Sequence, residues 1–268
     1  FRIRYAEGTS VPENVTPMVV GAPPPARKCV ISQDLTITTG KVRVSVSLDP
    51  YRLSITDRRG RKLCGIGGPE KNQFNQWDAI NTGICRTLDT GAPLACESFD
   101  LRVPEAIYGL GEKFHGLNKV GQTLDLVMED ALGAASPRSY KNVPFYLSTA
   151  GYGVFFHHHS LMTFWVGSAS GMDVRVAAED DFLDYFVFLG DFQTILSRYT
   201  DLTGKGVLPP RWTFGYWQAK FTYHSAAETL AIARQLRRHQ VPCDVLHLDT
   251  DWFARDWHCD MEFDPVDF

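Results

Sequence analysis

Apolar and polar residues alternate through "LTITTGKVRVSVSLDPYRLSITDRRGRKLCGI", from Leu35 to Ile66. A period of two puts successive side chains on opposite faces and predicts half-buried strands. Leu35-Thr36-Ile37-Thr38, Val42 to Val46 and Leu53-Ser54-Ile55 are the predicted strands. Gly40-Lys41, Asp49-Pro50 and Arg59-Gly60 supply the turn chemistry between them. The texture recurs at "SFDLRV", "VPFYLSTAGYGVFFHHH", "MTFWVGSA", "MDVRVAAE" and "FLDYFVFLG". Short strands at regular spacing predict an antiparallel β-sandwich. No segment before Asp191 carries a strong helical period. "DFQTILSRYTDLTGK" does, with Phe192, Ile195, Leu196 and Tyr199 on one helical face.

The pattern changes at "GVLPPRW". Pro209-Pro210 cannot continue a helix and stiffens the chain, which predicts a sandwich domain over 1–207 and a second domain over 208–268. In the second, "WTFGYWQ" reads as an aromatic strand and "AKFTYH" as a loop. "SAAETLAIARQLRRHQ" reads as a helix opened by a Ser225/Glu228 capping box, with Leu230, Ala233 and Leu236 on its buried face. "VPCD" turns the chain into a second strand, "VLHLD". Strand, helix and strand within about thirty residues make a βαβ unit with parallel strands. Ligands of parallel α/β sheets and barrels bind at the carboxyl ends of the strands. That end holds Lys220, Phe221 and Tyr223 after the first strand, and Asp249, Thr250, Asp251 and Trp252 after the second. Alternation sets His247, Asp249 and Asp251 on one face and Leu246 and Leu248 on the other, the arrangement expected at a (β/α)8 barrel mouth. One βαβ unit cannot bury itself, and a barrel needs roughly 200 further residues.

Composition narrows the partners. A formal net charge of -4 opposes nucleic-acid binding, which needs a basic face. The basic pairs Arg58-Arg59 and Arg237-Arg238 read as solvated surface. No apolar run is long enough to span a bilayer. The chain starts at Phe1 without the apolar core of a leader, which suggests an incomplete or processed N-terminus. Cys29, Cys64, Cys85, Cys96, Cys243 and Cys259 contain no CxxC pair and read as mostly free thiols. Free thiols without a leader point to the cytoplasm, with secretion as the alternative. Asn14-Val15-Thr16 is a formal glycosylation triplet.

Several clusters suggest chemistry. Asp249 and Asp251 are two apart on one strand, about 6.5–7 Å from each other. A retaining glycosidase pair flanks the scissile bond at about 5–5.5 Å, and two carboxylates on one strand approach from one side. They therefore do not fit a catalytic pair of that kind. His157-His158-His159 cannot all converge on a metal, because neighbours on a strand face opposite ways, and solvated strand-end histidines are expected. His258-Cys259 with Cys243 would need the fold to converge them for zinc. Gly109-Leu110-Gly111 is too short for a phosphate loop and predicts a backbone turn. Trp212, Phe214, Tyr216 and Trp217 read as core or barrel lining.

"YGLGEKFHGLNKVGQ", "YKNVPFYLSTAGYGVFF" and "LPPRWTFGYWQAKF…CDVLHLDTDWF" together resemble glycoside hydrolase family 31, from about Tyr108 to the last residue. "KNVPFYLS" followed by "GYGVF" is closer to its α-xylosidase-like branch than to the animal maltase-like branch. The resemblance implies a β-sandwich followed by a (β/α)8 catalytic barrel. It implies a retaining α-glycosidase acting on non-reducing terminal α-xylosyl or α-glucosyl residues by double displacement. The family's tryptophan-rich nucleophile motif has no match here, so both catalytic carboxylates are expected beyond residue 268, and the 268 residues alone are expected to be inactive. Substrate-binding roles carry over to four positions. Asp249 matches the aspartate that accepts bonds from a sugar hydroxyl. Thr250 matches a neighbour that sets room for a hydroxymethyl group. Phe221 matches an aromatic that packs on the sugar. Asp130 matches an acidic residue on a sandwich loop, although Glu129 precedes it where the family often has Arg. No metal or organic cofactor is implied. The expected partner is an oligosaccharide or glycoside, with a homo-oligomer open. The rival readings are a non-catalytic carbohydrate-binding sandwich and an inactive homologue.

Overall fold

The computed structural model describes residues 1–268 apart from 9, 14, 22–29, 32–33, 49–50, 68–81, 132, 134–135 and 256. Asn14 of the glycosylation triplet, Cys29 and the Asp49-Pro50 turn therefore lie outside the described residues. The chain forms two compact units, Phe1–Lys205 and Gly206–Phe268.

The first unit is the predicted antiparallel sandwich. One sheet holds, in spatial order, Arg2–Ala6, Phe182–Leu189, Tyr152–Phe156, Phe145–Ser148 and Ile107–Gly109. The larger sheet runs Gln122–Leu126, Met162–Val166, Asp173–Ala178, Pro93–Asp100, Lys62–Gly67, Tyr51–Asp57, Val42–Leu48, Thr36–Thr38 and Val30–Ile31. Gly83–Arg86 also pairs with Pro93–Asp100. The Leu35–Ile66 alternation becomes the register Val44 to Ile55 and Val46 to Leu53. Its apolar side faces the other sheet. Gly60 closes the second turn at φ 80°, donating to the Asp57 carbonyl at 3.0 Å. "SFDLRV" departs from expectation, since its strand begins at Pro93 and stops at Asp100. The Leu101 amide leaves the ladder to donate to Met172 O at 2.8 Å.

Phe99 anchors the core. Its ring meets Tyr146, Phe156 and Tyr185 edge-on, with centroids 5.7–6.0 Å apart. Phe145–Ser148 and Tyr152–Phe156 read as unbroken apolar runs because both faces are covered. Tyr146, Tyr152, Val154 and Phe156 point into the sandwich. Phe145 and Phe155 point outward beneath the helix α1, Phe192–Thr203. Asp191 caps this helix through Thr194 N at 2.8 Å. Its packed face is not the predicted one. Ile195, Tyr199 and Leu202 face the sheet, with Tyr199 stacked on Phe145 at 4.0 Å, while Leu196 is 44% exposed. The i, i+4, i+7 spacing of the first three gives a tighter stripe than one including Leu196.

The histidine triplet is also corrected. His157 and His158 are buried, not solvated, and only His159 is exposed. His157 Nε2 lies 3.1 Å from Thr16 N and Nδ1 lies 3.4 Å from Asp184. His158 Nε2 sits 3.1 Å from Phe182 O, its ring stacks on Phe182 at 4.6 Å, and burial lowers its pKa. Asp184 is fully buried but binds Arg2 through two bonds of 2.9 and 2.5 Å and Arg4 at 3.2 Å, which ties the first strand into its sheet by charge. Gly109 and Gly111 form the predicted turn at φ 118° and 87°. A Cβ on Gly111 would lie 2.1 Å from Lys141 O.

Glu97 is the one carboxylate pointing into the centre of the sandwich that the described residues leave without a cationic partner. It accepts from Tyr185 Oη at 2.8 Å and from its neighbour Ser98 N at 3.0 Å. Burial pushes its pKa up to about 7, and the Tyr185, Tyr51 and Tyr5 phenols are raised by burial and then by the Glu97 charge. No described helix is long and apolar enough to cross a membrane.

Because folding raises Glu97 above its ordinary value of 4.5, its contribution to stability is complete below that pH. It is then lost as pH climbs through about 7. Wild type should be about 3 kcal/mol less stable at pH 8 than at pH 4.5 from this group alone. Glu97→Gln, which keeps an oxygen for Tyr185, should remove that slope in urea titrations of the first unit's transition. An unchanged slope would contradict a buried, proton-dependent Glu97.

Candidate functional site

The second unit is built on one parallel pair. Trp217–Ala219 and Val245–His247 run side by side, with Trp217 opposite Val245, Gln218 opposite Leu246 and Ala219 opposite His247. The aromatic segment is only partly strand: Arg211–Phe214 forms a 3-10 turn first, with the Thr213 amide and hydroxyl donating to Pro210 O at 3.0 and 2.7 Å. Gly215 follows, packed against the Asp244 side chain. A Cβ there would sit 1.8 Å from Asp244 Oδ2, where the second strand begins. Asp244 N and Val245 N both donate to Tyr216 O, at 3.0 and 3.3 Å.

The crossover helix α2 spans Ala226–Arg238. Ser225 Oγ accepts from Glu228 N at 3.2 Å, the forward half of the predicted capping box. The return half is displaced: Glu228 accepts from His224 N at 2.9 Å and pairs with Lys220 at 2.5 Å. Together these bonds hold its carboxyl below the usual range. Ala233 and Leu236 are half-buried as expected, whereas Leu230 is 51% exposed. It lies about 60° around the helix from Ala233 and about 120° from Leu236, off the edge of a two-strand footprint. Trp212, Phe214, Tyr216 and Trp217 are 48–73% exposed rather than core. A pair of strands has too little surface to cover them.

Both strand ends deliver their side chains to the same end of the pair. Thr222 and Thr250 meet there, with hydroxyls 3.2 Å apart. Thr222 Oγ1 also accepts from Asp251 N at 3.2 Å. The Asp251 carboxylate takes His224 Nδ1 at 2.7 Å and the Thr250 hydroxyl at 3.2 Å. The strand stops at His247, but exposure continues to alternate: Leu246 and Leu248 are half-buried while His247 and Asp249 are exposed. The alternation runs on to Thr250, which is buried, and Asp251 beyond it is half-buried. The chain bends at Thr250, next to the bond from Asp251 N to Thr222. Asp249 makes no hydrogen bond or ion pair among the described residues and is exposed. Phe221, after the other strand, is 79% exposed. Trp252 stacks on Phe253 at 3.8 Å and meets Phe263 at a tilt, with centroids 5.0 Å apart.

The four sequence-derived positions thus separate. Asp249, Thr250 and Phe221 belong to one strand-end cluster. Asp130 belongs to the other unit, where it accepts from the Tyr140 hydroxyl on an exposed loop. Glu129, which precedes it, pairs with Arg138 at 2.8 Å. The sequence pattern does not single out Thr222 or His224. Their position in the loop after the first strand is the signal that could have found them. Among the described residues no three His, Cys, Asp or Glu side chains converge as a metal site.

Residues 1–164 match the glycosyl hydrolase 31 N-terminal galactose mutarotase-like domain, and residues 206–268 match the glycosyl hydrolases family 31 TIM-barrel domain. The alpha-xylosidase XylQ of Lactiplantibacillus pentosus is 38% identical over 183 residues, covering 67% of this chain and 24% of that protein. An alpha-xylosidase of Emericella nidulans is 33% identical over 246 residues, covering 87% of this chain and 31% of that protein. The family 31 dextranase of Flavobacterium johnsoniae, solved with glucose, superposes with a TM-score of 0.79 at 25% identity, over 94% of this chain and 30% of that one. The Aspergillus niger xylosidase shares the fold, with a TM-score of 0.76 at 20% identity, over 98% of this chain and 38% of that one. The chain spans about a quarter to a third of the length of these curated relatives. Its sandwich and its opening strand–helix–strand unit both match family 31 domains, and the chain belongs to glycoside hydrolase family 31.

Proposed function

We propose that this chain is the sandwich and barrel opening of a retaining α-glycosidase that removes non-reducing terminal α-xylosyl or α-glucosyl residues. The observation that carries the reading is the division of labour at the strand ends. Asp251, Thr250, Thr222 and His224 bind one another, while Asp249 and Phe221 remain open to a ligand. A free carboxylate can accept two hydroxyl hydrogen bonds, and an exposed ring can pack on the apolar face of a sugar. Asp251 is engaged by His224 and orients the loop. A catalytic pair made of Asp249 and Asp251 is therefore disfavoured a second time, by contacts as well as by strand geometry. The nucleophile and the acid/base belong to sequence beyond residue 268, and residues 1–268 by themselves lack hydrolase activity. Similarity to curated alpha-xylosidases supports xylose as the first substrate to try. Thr250 is buried against Thr222, so on this reading it sets the pocket floor through its methyl group and backbone.

The test compares aryl α-xyloside and aryl α-glucoside hydrolysis by the full-length enzyme and its variants. Asp249→Asn should lower kcat/KM by about 100-fold, the loss expected for a charge-assisted bond of about 3 kcal/mol. Phe221→Ala should lower it by about tenfold through lost ring packing. Neither side chain supports the fold, so the thermal midpoints should not move. Inactivity of the wild type on every α-glycoside, or an Asp249→Asn variant as active as wild type, would overturn the assignment.

A further inference from the structure

The larger sheet carries a pair of thiols that the glycosidase reading does not use. Cys85 lies on Gly83–Arg86 and Cys96 on Pro93–Asp100. The register sets Gly83 opposite Cys96 and Cys85 opposite Leu94. Both cysteines therefore point to the same face of the pair, one diagonal apart. Their sulfurs are 3.5 Å from each other, and both are free thiols. Cys85 is half-buried and Cys96 is buried. The remaining described thiols have no such neighbour: Cys64 is buried against Gly65 O, and Cys243 and Cys259 belong to the other unit. The strand bearing Cys85 is four residues long and, among the described residues, pairs along one edge, which leaves it room to bring the sulfurs together.

We propose that Cys85 and Cys96 are a modification site, a dithiol that a hydroperoxide oxidises to an intramolecular disulfide. The more open Cys85 thiolate attacks a peroxide oxygen, the O–O bond breaks, and Cys85 becomes a sulfenic acid as the first water leaves. Cys96 Sγ then attacks the Cys85 sulfur. The S–S bond forms, the S–O bond breaks, and the Cys96 proton departs with the hydroxyl as a second water. Two thiols and one H2O2 give one disulfide and two waters. Burial pushes the Cys96 thiol up to about 12, which keeps it protonated and leaves the first attack to Cys85. A diagonal pair on an edge strand is not relaxed disulfide geometry, so a dithiol reductant reopens the bond readily. The bond staples a hairpin that also reaches the first strand of the fold, through Arg86 to Glu7 at 2.5 Å and Tyr5 to Cys96 O.

The experiment treats the folded full-length protein with hydrogen peroxide, alkylates the remaining thiols and digests with trypsin without reduction. Cleavage after Arg86 separates the two cysteines. The expected product is peptide 72–86 joined to peptide 87–102, about 2 Da lighter than the two thiols' sum and released by dithiothreitol. Cys85→Ser should abolish it and Cys64→Ser should leave it intact. In Cys96→Ser the oxidation should stop at a Cys85 sulfenic acid that dimedone captures. Full alkylation of both cysteines after peroxide, or Cys85 sulfinic acid beside an alkylated Cys96, would overturn the proposal.

Discussion

The parallel pairing of Trp217–Ala219 with Val245–His247 is the constraint on which the candidate site depends. Two strands can run parallel only if the chain crosses back between them, and here α2 makes that crossing. The crossing then sends both strands toward the same end, so the residues after Ala219 and after His247 must meet. The Thr222–Thr250 contact, the Asp251 amide and the His224–Asp251 ion pair are local consequences of that meeting. An antiparallel hairpin with the same residues would put Phe221 and Asp249 at opposite ends of the pair. The bonds from Asp244 N and Val245 N to Tyr216 O set where the second strand starts, and so which residues reach the end.

The sandwich solves a different problem. Its central strands are covered on both sides, by the facing sheet through Phe99 and by α1 through Tyr199. Double coverage secures the fold but leaves little room for polar groups. Its two fully buried carboxylates are held in different ways. Asp184 is paired with the guanidinium groups of Arg2 and Arg4. Glu97, with phenols around it instead of cations, is held close to its neutral form. The two carboxylates thus differ in their partners, cations for Asp184 and a phenol for Glu97.

Much of this was legible in the sequence. Alternation and turn residues from Leu35 to Ile66 mark real strands, Pro209-Pro210 falls close to the change of unit, and the strand–helix–strand pattern after it gives the parallel pair. What stayed hidden depends on contacts between residues far apart in the chain. Burial of His157 and His158 follows from acceptors at Thr16 and Phe182, which no local pattern reveals. Leu196 gives way to Leu202 because the sheet beneath α1, rather than the helix, determines which stripe is covered. The same holds at the site. The place of Asp249 just after the second strand was legible from the strand pattern. The withdrawal of Asp251 into a bond with His224, and of Glu129 into one with Arg138, needed the folded chain.

The central proposal is that the sugar site is made at the ends of the parallel pair. A crystal structure of the full-length protein soaked with xylose tests it most directly. The account predicts the Asp249 carboxylate within hydrogen-bond distance of a sugar hydroxyl, Phe221 against the ring, and Asp251 still bound to His224. A sugar seated on the sandwich, with Asp249 in contact with solvent alone, would contradict it.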